Sequence, residues 1–232
     1  FGGGDDALRV EGADRGRASF VGTNPAMTIR VDRGAEGDAI EIQEQVAAVA
    51  EAMRPEYEAI VAAGLLLQLD SPDLGLGRHM MYKDRSDADY LRLIGGHVEA
   101  LNHALRNVPA DRVRMHVCWG NYEGPHCCDV EMGVILPTLM TAKPAGLLFE
   151  TSNPRHQADW TYFAEMAHLI PEDKILIPGV IDSTTNFIEH PRVVAERIER
   201  YAGIIGRERV IAGLQAAGEV KLATLMRREL DK

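Results

Sequence analysis

The sequence predicts an α/β protein, most simply a (β/α)8 TIM-type barrel built as one domain of 232 residues. From residue 41 onward, helical stretches alternate with short apolar runs, which is typical of strand–helix repeats. The runs are apolar throughout, as strands are when helices cover both faces of a parallel sheet. Polar residues follow where these strands end, and a barrel assembles its active site at that edge from several strands. A doubly wound sheet would also accommodate the repeats.

The first clear repeat is a helix followed by a strand. Apolar residues recur every three or four positions from Ile42 to Ile60, which indicates one buried helical face. Pro55 lacks a backbone N–H and is expected to kink this helix. Gly64 is expected to end it, and the apolar run at residues 65–69 predicts a strand buried on both faces.

Four further repeats follow in the same order. Ser86 and Asp89 predict an N-terminal cap. The helix that follows this cap carries one apolar stripe made of Leu91, Ile94, Val98, Leu101 and Leu105. Pro191 is expected to open a later helix, whose inward residues are Val194, Ile198, Tyr201 and Ile205. The remaining predicted strands are 113–118, 146–150, 175–180 and 210–212, and the remaining predicted helices are 130–142, 157–168 and 216–230.

The first 40 residues fit this pattern poorly. Gly and Asp interrupt them, and only the segments 18–22 and 27–31 resemble strands. They do not supply three complete strand–helix units, and the chain is also a little shorter than the ~250 residues typical of a barrel. Residues missing from the sequence as printed would explain both observations.

Composition excludes several classes of function. The 35 acidic residues outnumber the 25 basic ones, and the basic residues are scattered, so a nucleic-acid-binding stripe is not expected. No apolar run reaches the roughly 18 residues that a membrane-spanning helix needs, and the start resembles no signal peptide. We therefore expect a cytoplasmic protein. An oligomer is compatible with the sequence. The three cysteines cannot all pair with one another, which favours thiol or metal chemistry over a disulfide scaffold.

Four predicted strands end in side chains capable of chemistry, namely Asp70, His116 with Cys118, Glu150 and Asp182. His116 and Cys118 lie two residues apart on one strand, which places an imidazole and a thiol on the same face. Zinc accepts both ligands, although a bare His-x-Cys pattern is more often an incidental or core pair. Glu150 ends an apolar strand, where a buried carboxylate is costly unless it is paired or bound to a metal. This context favours a metal site.

Three long motifs, in order, resemble those of a known superfamily. They are MHVCWGNYEGPH at 115–126, FE at 149–150 followed by NPRH at 153–156, and IPGVIDSTTN at 177–186. Together they resemble the cobalamin-independent methionine synthases, and more narrowly the single-barrel proteins of family II, which include the epoxyalkane:coenzyme M transferases. The resemblance covers about residues 40–213. It implies a (β/α)8 barrel with a zinc ion that activates a substrate thiol for alkylation.

The resemblance also implies a ligand set. The family's histidine and cysteine ligands correspond to His116 and Cys118, and its glutamate ligand corresponds to Glu150. The family's second cysteine ligand should follow Gly213, where this sequence continues directly to Leu214-Gln215. A deletion would explain the difference, but we favour a loop missing at this join and therefore expect the expressed chain to be longer. Cys127 is the alternative ligand.

Further residues are assigned to substrate binding. Asp70 corresponds to an aspartate expected to hold the amino group of homocysteine, although it could instead cap a helix or pair with Arg78. Arg155 could hold a carboxylate or sulfonate, or could pair with Asp159. Asn121 and His126 lie inside the first motif and complete the substrate-binding prediction, although loop histidines are usually solvated.

Asp182 is the candidate catalytic residue, because it corresponds to the aspartate of the family's strand-end motif. Thr184 stands where methionine synthases place the histidine thought to protonate the departing folate, and a hydroxyl is a poor general acid near neutral pH. The sequence thus predicts zinc-dependent methyl transfer to homocysteine. It does not identify the methyl donor. The alternatives are an epoxyalkane:coenzyme M transferase, which adds the thiolate of coenzyme M to an epoxide, and a non-catalytic zinc- or thiol-binding protein.

Overall fold

Six parallel strands form one sheet in the computed structural model, which describes residues 19–23, 36–120, 125–182 and 185–214. The strands are β1 (Ser19–Thr23), β2 (Leu66–Ser71), β3 (Val113–Val117), β4 (Gly146–Glu150), β5 (Ile175–Ile181) and β6 (Gly213–Leu214). The helices are α1 (Glu36–Ala62), α2 (Leu76–Met80), α3 (Asp87–Ala104), α4 (Met132–Met140), α5 (Trp160–Glu165) and α6 (Pro191–Ile205).

Each strand pairs with the next one in the chain, in the order β1 to β6. A doubly wound sheet reverses its strand order at a switch point, and the described strands contain no such reversal. The α/β class and the one-way parallel winding expected of a barrel are therefore confirmed. The described residues contain six parallel strands, whereas a full (β/α)8 barrel has eight, and no pairing between the described strands closes β6 onto β1.

Several elements match the sequence prediction closely. Strand β4 has the predicted bounds, and all five of its residues are buried, as expected for a strand covered on both faces. Ser86 caps α3, because its Oγ accepts a hydrogen bond from the backbone N–H of Asp89 at 3.1 Å. The buried aromatic side chain on α3 is Tyr90, whereas Leu91 is only partly buried.

Three predictions of element bounds were wrong. Strand β3 ends at Val117, so Cys118 lies just beyond the strand. The last described strand is β6, and residues 210–212 contribute only an isolated bridge between Val210 and Leu176. The helix predicted at 157–168 is shorter and continues as a 3-10 turn at Ala167–Leu169. The segment 27–31, the helix at 216–230 and most of residues 1–40 lie outside the described residues.

The core lies between the sheet and its helices. Phe149 of β4 stacks on Phe163 of α5 with ring centroids 4.6 Å apart, and Tyr201 of α6 packs edge-on against both rings at 5.4 Å. Burying one such ring stabilises the fold by about 1.5–3 kcal/mol. The cluster fixes α5 and α6 against β4 and thereby sets the position of the strand end that carries Glu150. Among the described helices, none is both long and apolar enough to span a membrane.

Candidate metal and substrate site

The carboxyl ends of four neighbouring strands bring the candidate site together. Asp70 lies in β2, Glu150 is the last residue of β4, and Asp182 directly follows β5. The register of β2 and β3 places Asp70 opposite His116. Side chains that are far apart in the sequence therefore meet at one edge of the sheet, as the sequence predicted.

Asp70 and His116 form a direct hydrogen bond. The Nδ1 atom of His116 lies 2.8 Å from Oδ1 of Asp70. An ionised carboxylate can only accept, so this contact places the proton of a neutral imidazole on Nδ1 and leaves a lone pair on Nε2. The His116 side chain is 2% exposed, and its Nε2 has no hydrogen-bond partner among the described residues. A buried acceptor without a partner is costly, and a bound metal would satisfy it.

The Cys118 thiol lies beside the Glu150 carboxylate. Its Sγ is 3.8 Å from Oε1 of Glu150 and accepts the backbone N–H of Gly120 at 3.1 Å. Burial, reinforced by the negative charge of Glu150, raises the pKa of the Cys118 thiol to about 12. A thiol in this setting is unreactive by itself. A cation placed between the sulfur and the carboxylate would reverse the effect, because thiols that bind metals lose their proton.

Glu150 is held by two donors. The backbone N–H of Trp119 donates to Oε1 at 3.0 Å, and the Asn153 amide donates to Oε2 at 2.6 Å. The residue is 2% exposed, and burial raises the pKa of its carboxyl group. Both partners fix the direction in which the carboxylate points. This buried carboxyl group thus lies next to the Cys118 sulfur.

Close backbone packing explains why glycines occur around Cys118. Gly120 has a φ of 89°, and an added Cβ there would lie 2.9 Å from the Leu76 side chain. At Gly75 an added Cβ would lie 2.6 Å from the carbonyl oxygen of Cys118, which accepts the N–H of Leu76 at 2.8 Å. The loop after β2 is therefore pressed against the segment that carries the thiol.

The chemistry of the three side chains fits zinc. Imidazole nitrogen, thiolate sulfur and carboxylate oxygen are the ligands that zinc accepts. The Nε2 atom of His116 makes no hydrogen bond among the described residues, so its lone pair is available to a metal. In the part of the chain that the structure describes, no three such side chains are already converged on one point. The arrangement consists of two neighbouring contacts, Asp70–His116 and Cys118–Glu150.

A buried ionic cluster behind this site was missed by sequence reasoning. The Asp129 side chain is fully buried, and its Oδ2 lies 2.8 Å from Nδ1 of His126 and 3.2 Å from Nε2 of His156. The other ring nitrogen of His156 lies 2.9 Å from Oδ2 of Asp159. Burial opposes a charge on His156, but the two aspartates outweigh it and raise its pKa to about 9. The His156 ring packs 4.4 Å from Trp119, so the cluster supports the segment next to Cys118.

The structure shows the contacts of two further predicted site residues, His126 and Asp182. His126 contacts Asp129 and is part of the buried cluster, rather than a freely solvated loop residue. Asp182 is buried, and its backbone N–H donates to Oε2 of Glu189 at 2.9 Å. Glu189 in turn pairs with Arg197, which also donates to the Val180 carbonyl at 2.7 Å. Asn121 and Thr184 lie outside the described residues.

Arg155 and the cysteine pair lie around a separate cleft. This cavity of about 520 Å³ is lined by Arg78, Lys83, Asp87, Cys127, Cys128, Asp129, Val130, Glu131, Val134 and Arg155. None of the three zinc-ligand candidates is among these described lining residues. Arg155 does not pair with Asp159, and Arg78 pairs with Asp87 at 3.1 Å instead of with Asp70.

Comparison with known proteins places the fold. No family model matches the chain, and no curated protein matches it. A B12-independent methionine synthase from Shewanella sp. W3-18-1, solved in complex with selenomethionine, is similar with a TM-score of 0.56 at 16% identity, over 82% of this chain and 56% of that one. A candidate vitamin-B12-independent methionine synthase from Listeria monocytogenes is similar with a TM-score of 0.57 at 20% identity, over 83% of this chain and 56% of that one.

These likenesses show that the chain has the fold of cobalamin-independent methionine synthases, as the sequence motifs predicted. The part of each solved structure that it covers is 56% of that structure's length.

Proposed function

We propose that this protein is a zinc-dependent transferase that alkylates a substrate thiol, and that its reaction is methyl transfer to homocysteine. The observation that carries the proposal is the buried Nε2 atom of His116, which has no partner among the described residues while Nδ1 is held by Asp70. A metal-binding histidine typically has one nitrogen directed by a carboxylate and the other left to the metal.

The residues that would hold zinc are His116, Cys118 and Glu150. Zinc supplies one chemical effect when bound, which is to deprotonate a coordinated thiol at neutral pH while leaving its sulfur nucleophilic. There are two candidates for the fourth protein ligand. One is a cysteine beyond Gly213, as the resemblance implies, and the other is Cys127. The position of Cys127 in the separate cleft favours the former.

The chain's own residues would orient the reactants. Asp70 fixes the tautomer of His116 through one oxygen, and its side chain is 31% exposed. The exposed part of this carboxylate can accept a hydrogen bond from the ammonium group of homocysteine. Asn153 and the Trp119 amide hold Glu150 in place. We assign the catalytic role to Asp182, whose main chain is held by Glu189 at the same edge of the sheet.

The exposed carboxylate also distinguishes homocysteine from coenzyme M. Coenzyme M has no amine, and its sulfonate requires a cation, for which Arg155 is the candidate. Arg155 lies with Cys127 around the other cleft, so the geometry supports homocysteine first. The test is to measure thiol consumption with homocysteine and coenzyme M in parallel, each with a methyl donor and with a terminal epoxide.

The Asp70→Asn variant separates the two acceptors. Loss of an ion-supported contact in a partly buried site is worth about 1.5–3 kcal/mol, so kcat/KM for homocysteine should fall roughly 10- to 150-fold. Both thiols are to be measured at saturating zinc, where the weaker metal affinity expected of this variant does not limit turnover, and the turnover of coenzyme M should then change much less. If homocysteine kinetics are unchanged in Asp70→Asn, and coenzyme M turnover depends on Arg155, the epoxide reaction replaces our proposal. Absence of turnover with either thiol in the zinc-loaded protein would favour a binding role.

A further inference from the structure

We propose that His156 is a positioning residue for Glu150, acting on both oxygens of its carboxylate through Asn153 and Trp119. Oε1 of Glu150 accepts the backbone N–H of Trp119, and Oε2 accepts the side-chain amide of Asn153. His156 contacts both of these donor residues. The consequence for zinc binding rests on the proposed function, whereas the contacts around Glu150 hold independently of it.

The first link runs through the side chain of Asn153. Its Oδ1 accepts the backbone N–H of His156 at 2.8 Å, and its amide nitrogen donates to Oε2 of Glu150 at 2.6 Å. Because the backbone N–H can only donate, it fixes which end of the amide faces Glu150. The position of His156 thus sets the direction from which the donor approaches Oε2.

The second link runs through the indole ring of Trp119. The His156 ring packs against it with ring centroids 4.4 Å apart, and the indole N–H donates to the Val130 carbonyl at 2.9 Å. The Trp119 side chain is fully buried, so the ring contact and this hydrogen bond leave it no room to turn. Both contacts hold the residue whose backbone N–H donates to Oε1 of Glu150.

Two buried aspartates fix the His156 ring itself. Oδ2 of Asp159 lies 2.9 Å from Nδ1, and Oδ2 of Asp129 lies 3.2 Å from Nε2. Ionised carboxylates only accept hydrogen bonds, so contacts at both nitrogens favour the doubly protonated, positively charged ring. A different rotamer of His156 would leave buried charges without partners, which is costly. The ring is therefore a rigid anchor behind the site.

Amide hydrogen exchange on the full chain, with a chelator present, tests this anchor without zinc. In His156→Gln the backbone N–H of Trp119 should exchange about tenfold faster or more, because its contact with Glu150 is no longer held in place. The backbone N–H of Ala145 donates to the Ala110 carbonyl at 2.9 Å and serves as the reference for general destabilisation. Its exchange rate should change less than about threefold.

Zinc affinity, measured by competition with a chelator, tests the consequence for the metal. Asn153→Ser removes the donor to Glu150 but leaves a hydroxyl that can accept the His156 N–H, so affinity should fall about 10- to 100-fold. His156→Gln acts one contact further away and should lower it about three- to tenfold. Because the two residues act on the same carboxylate, the double variant should lose less than the product of the single losses. His97→Gln removes a similar contact with Asp73, 2.7 Å long, and should leave the affinity unchanged.

The outcomes separate this inference from the proposed function. Unchanged exchange at Trp119 in His156→Gln, or equal acceleration at Ala145, would overturn the positioning role. An equal loss of zinc affinity in His97→Gln, or losses that multiply fully in the double variant, would overturn it as well. Faster exchange at Trp119 alone, in a chain that binds no zinc, would support the positioning role and overturn the proposed function.

Discussion

Asp70→Asn should weaken zinc binding without abolishing it. The Oδ1 atom of Asp70 lies 2.8 Å from Nδ1 of His116, and an amide in its place binds the imidazole N–H less strongly or presents its own N–H to it. Loss of such an outer partner typically lowers metal affinity 10- to 100-fold, which corresponds to about 1.4–2.7 kcal/mol. One zinc per chain should still bind at saturation, because Asp70 is not among the proposed ligands.

The chain offers a matched control for this prediction. Asp73 contacts Nδ1 of His97 at 2.7 Å, which is the same type of contact on another histidine. Zinc affinity should be measured by competition with a chromophoric chelator in Asp70→Asn and Asp73→Asn. We expect the affinity to fall in the first variant alone. Unchanged affinity in Asp70→Asn, or an equal loss in both variants, would refute the role given to the Asp70–His116 pair.

Three further predictions concern stability, each measured by denaturant unfolding. The two aspartates raise the pKa of His156 from 6.5 to about 9. The stability that the His156–aspartate contacts provide is therefore fully present below pH 6.5 and is lost as pH rises through 9. The loss in the free energy of unfolding is at most about 3 kcal/mol. His156→Gln should remove this dependence on pH, and an unchanged pH profile would contradict the assignment. Phe149→Ala should destabilise the protein by about 3–5 kcal/mol through loss of the aromatic cluster, and a cost below about 1 kcal/mol would contradict that packing. Gly120→Ala should destabilise by roughly 1–3 kcal/mol, because φ is 89° and the new methyl group would meet Leu76, whereas Gly95→Ala in α3, with open space around it, should be neutral or stabilising.

The fold was predictable where local signals were strong. The bounds of β4 followed from a continuous apolar run, and the start of α3 followed from the Ser86 cap. Helix α1 runs on through Pro55 to Ala62, so the loss of one backbone donor at the proline does not end the helix. Leu91 packs against the core as predicted but is only partly buried, and its neighbour Tyr90, which the pattern did not single out, is fully buried and donates its hydroxyl to the Asp73 carbonyl.

The site was only partly predictable from the sequence. The zinc-ligand candidates could be named because they follow strands whose ends meet at one edge of a sheet. The Asp70–His116 hydrogen bond depends on the register of β2 against β3, and no local pattern encodes that register. Asp129 gave only a weak signal for a similar reason, since it becomes a buried hub only when loops from different strands converge on it. One clue was available, namely the three-residue spacings of Asp129 from His126 and of His156 from Asp159.

The central claim is that His116, Cys118 and Glu150 hold one zinc ion. X-ray absorption at the zinc edge tests it most directly, on full-length protein carrying Cys127→Ser and Cys128→Ser so that those thiols cannot contribute. We predict about one zinc per chain, with a sulfur shell near 2.3 Å and nitrogen or oxygen neighbours near 2.0–2.2 Å. Adding Cys118→Ser should remove a sulfur neighbour and most of the bound metal. Full zinc content with an unchanged sulfur shell in that variant would contradict the account.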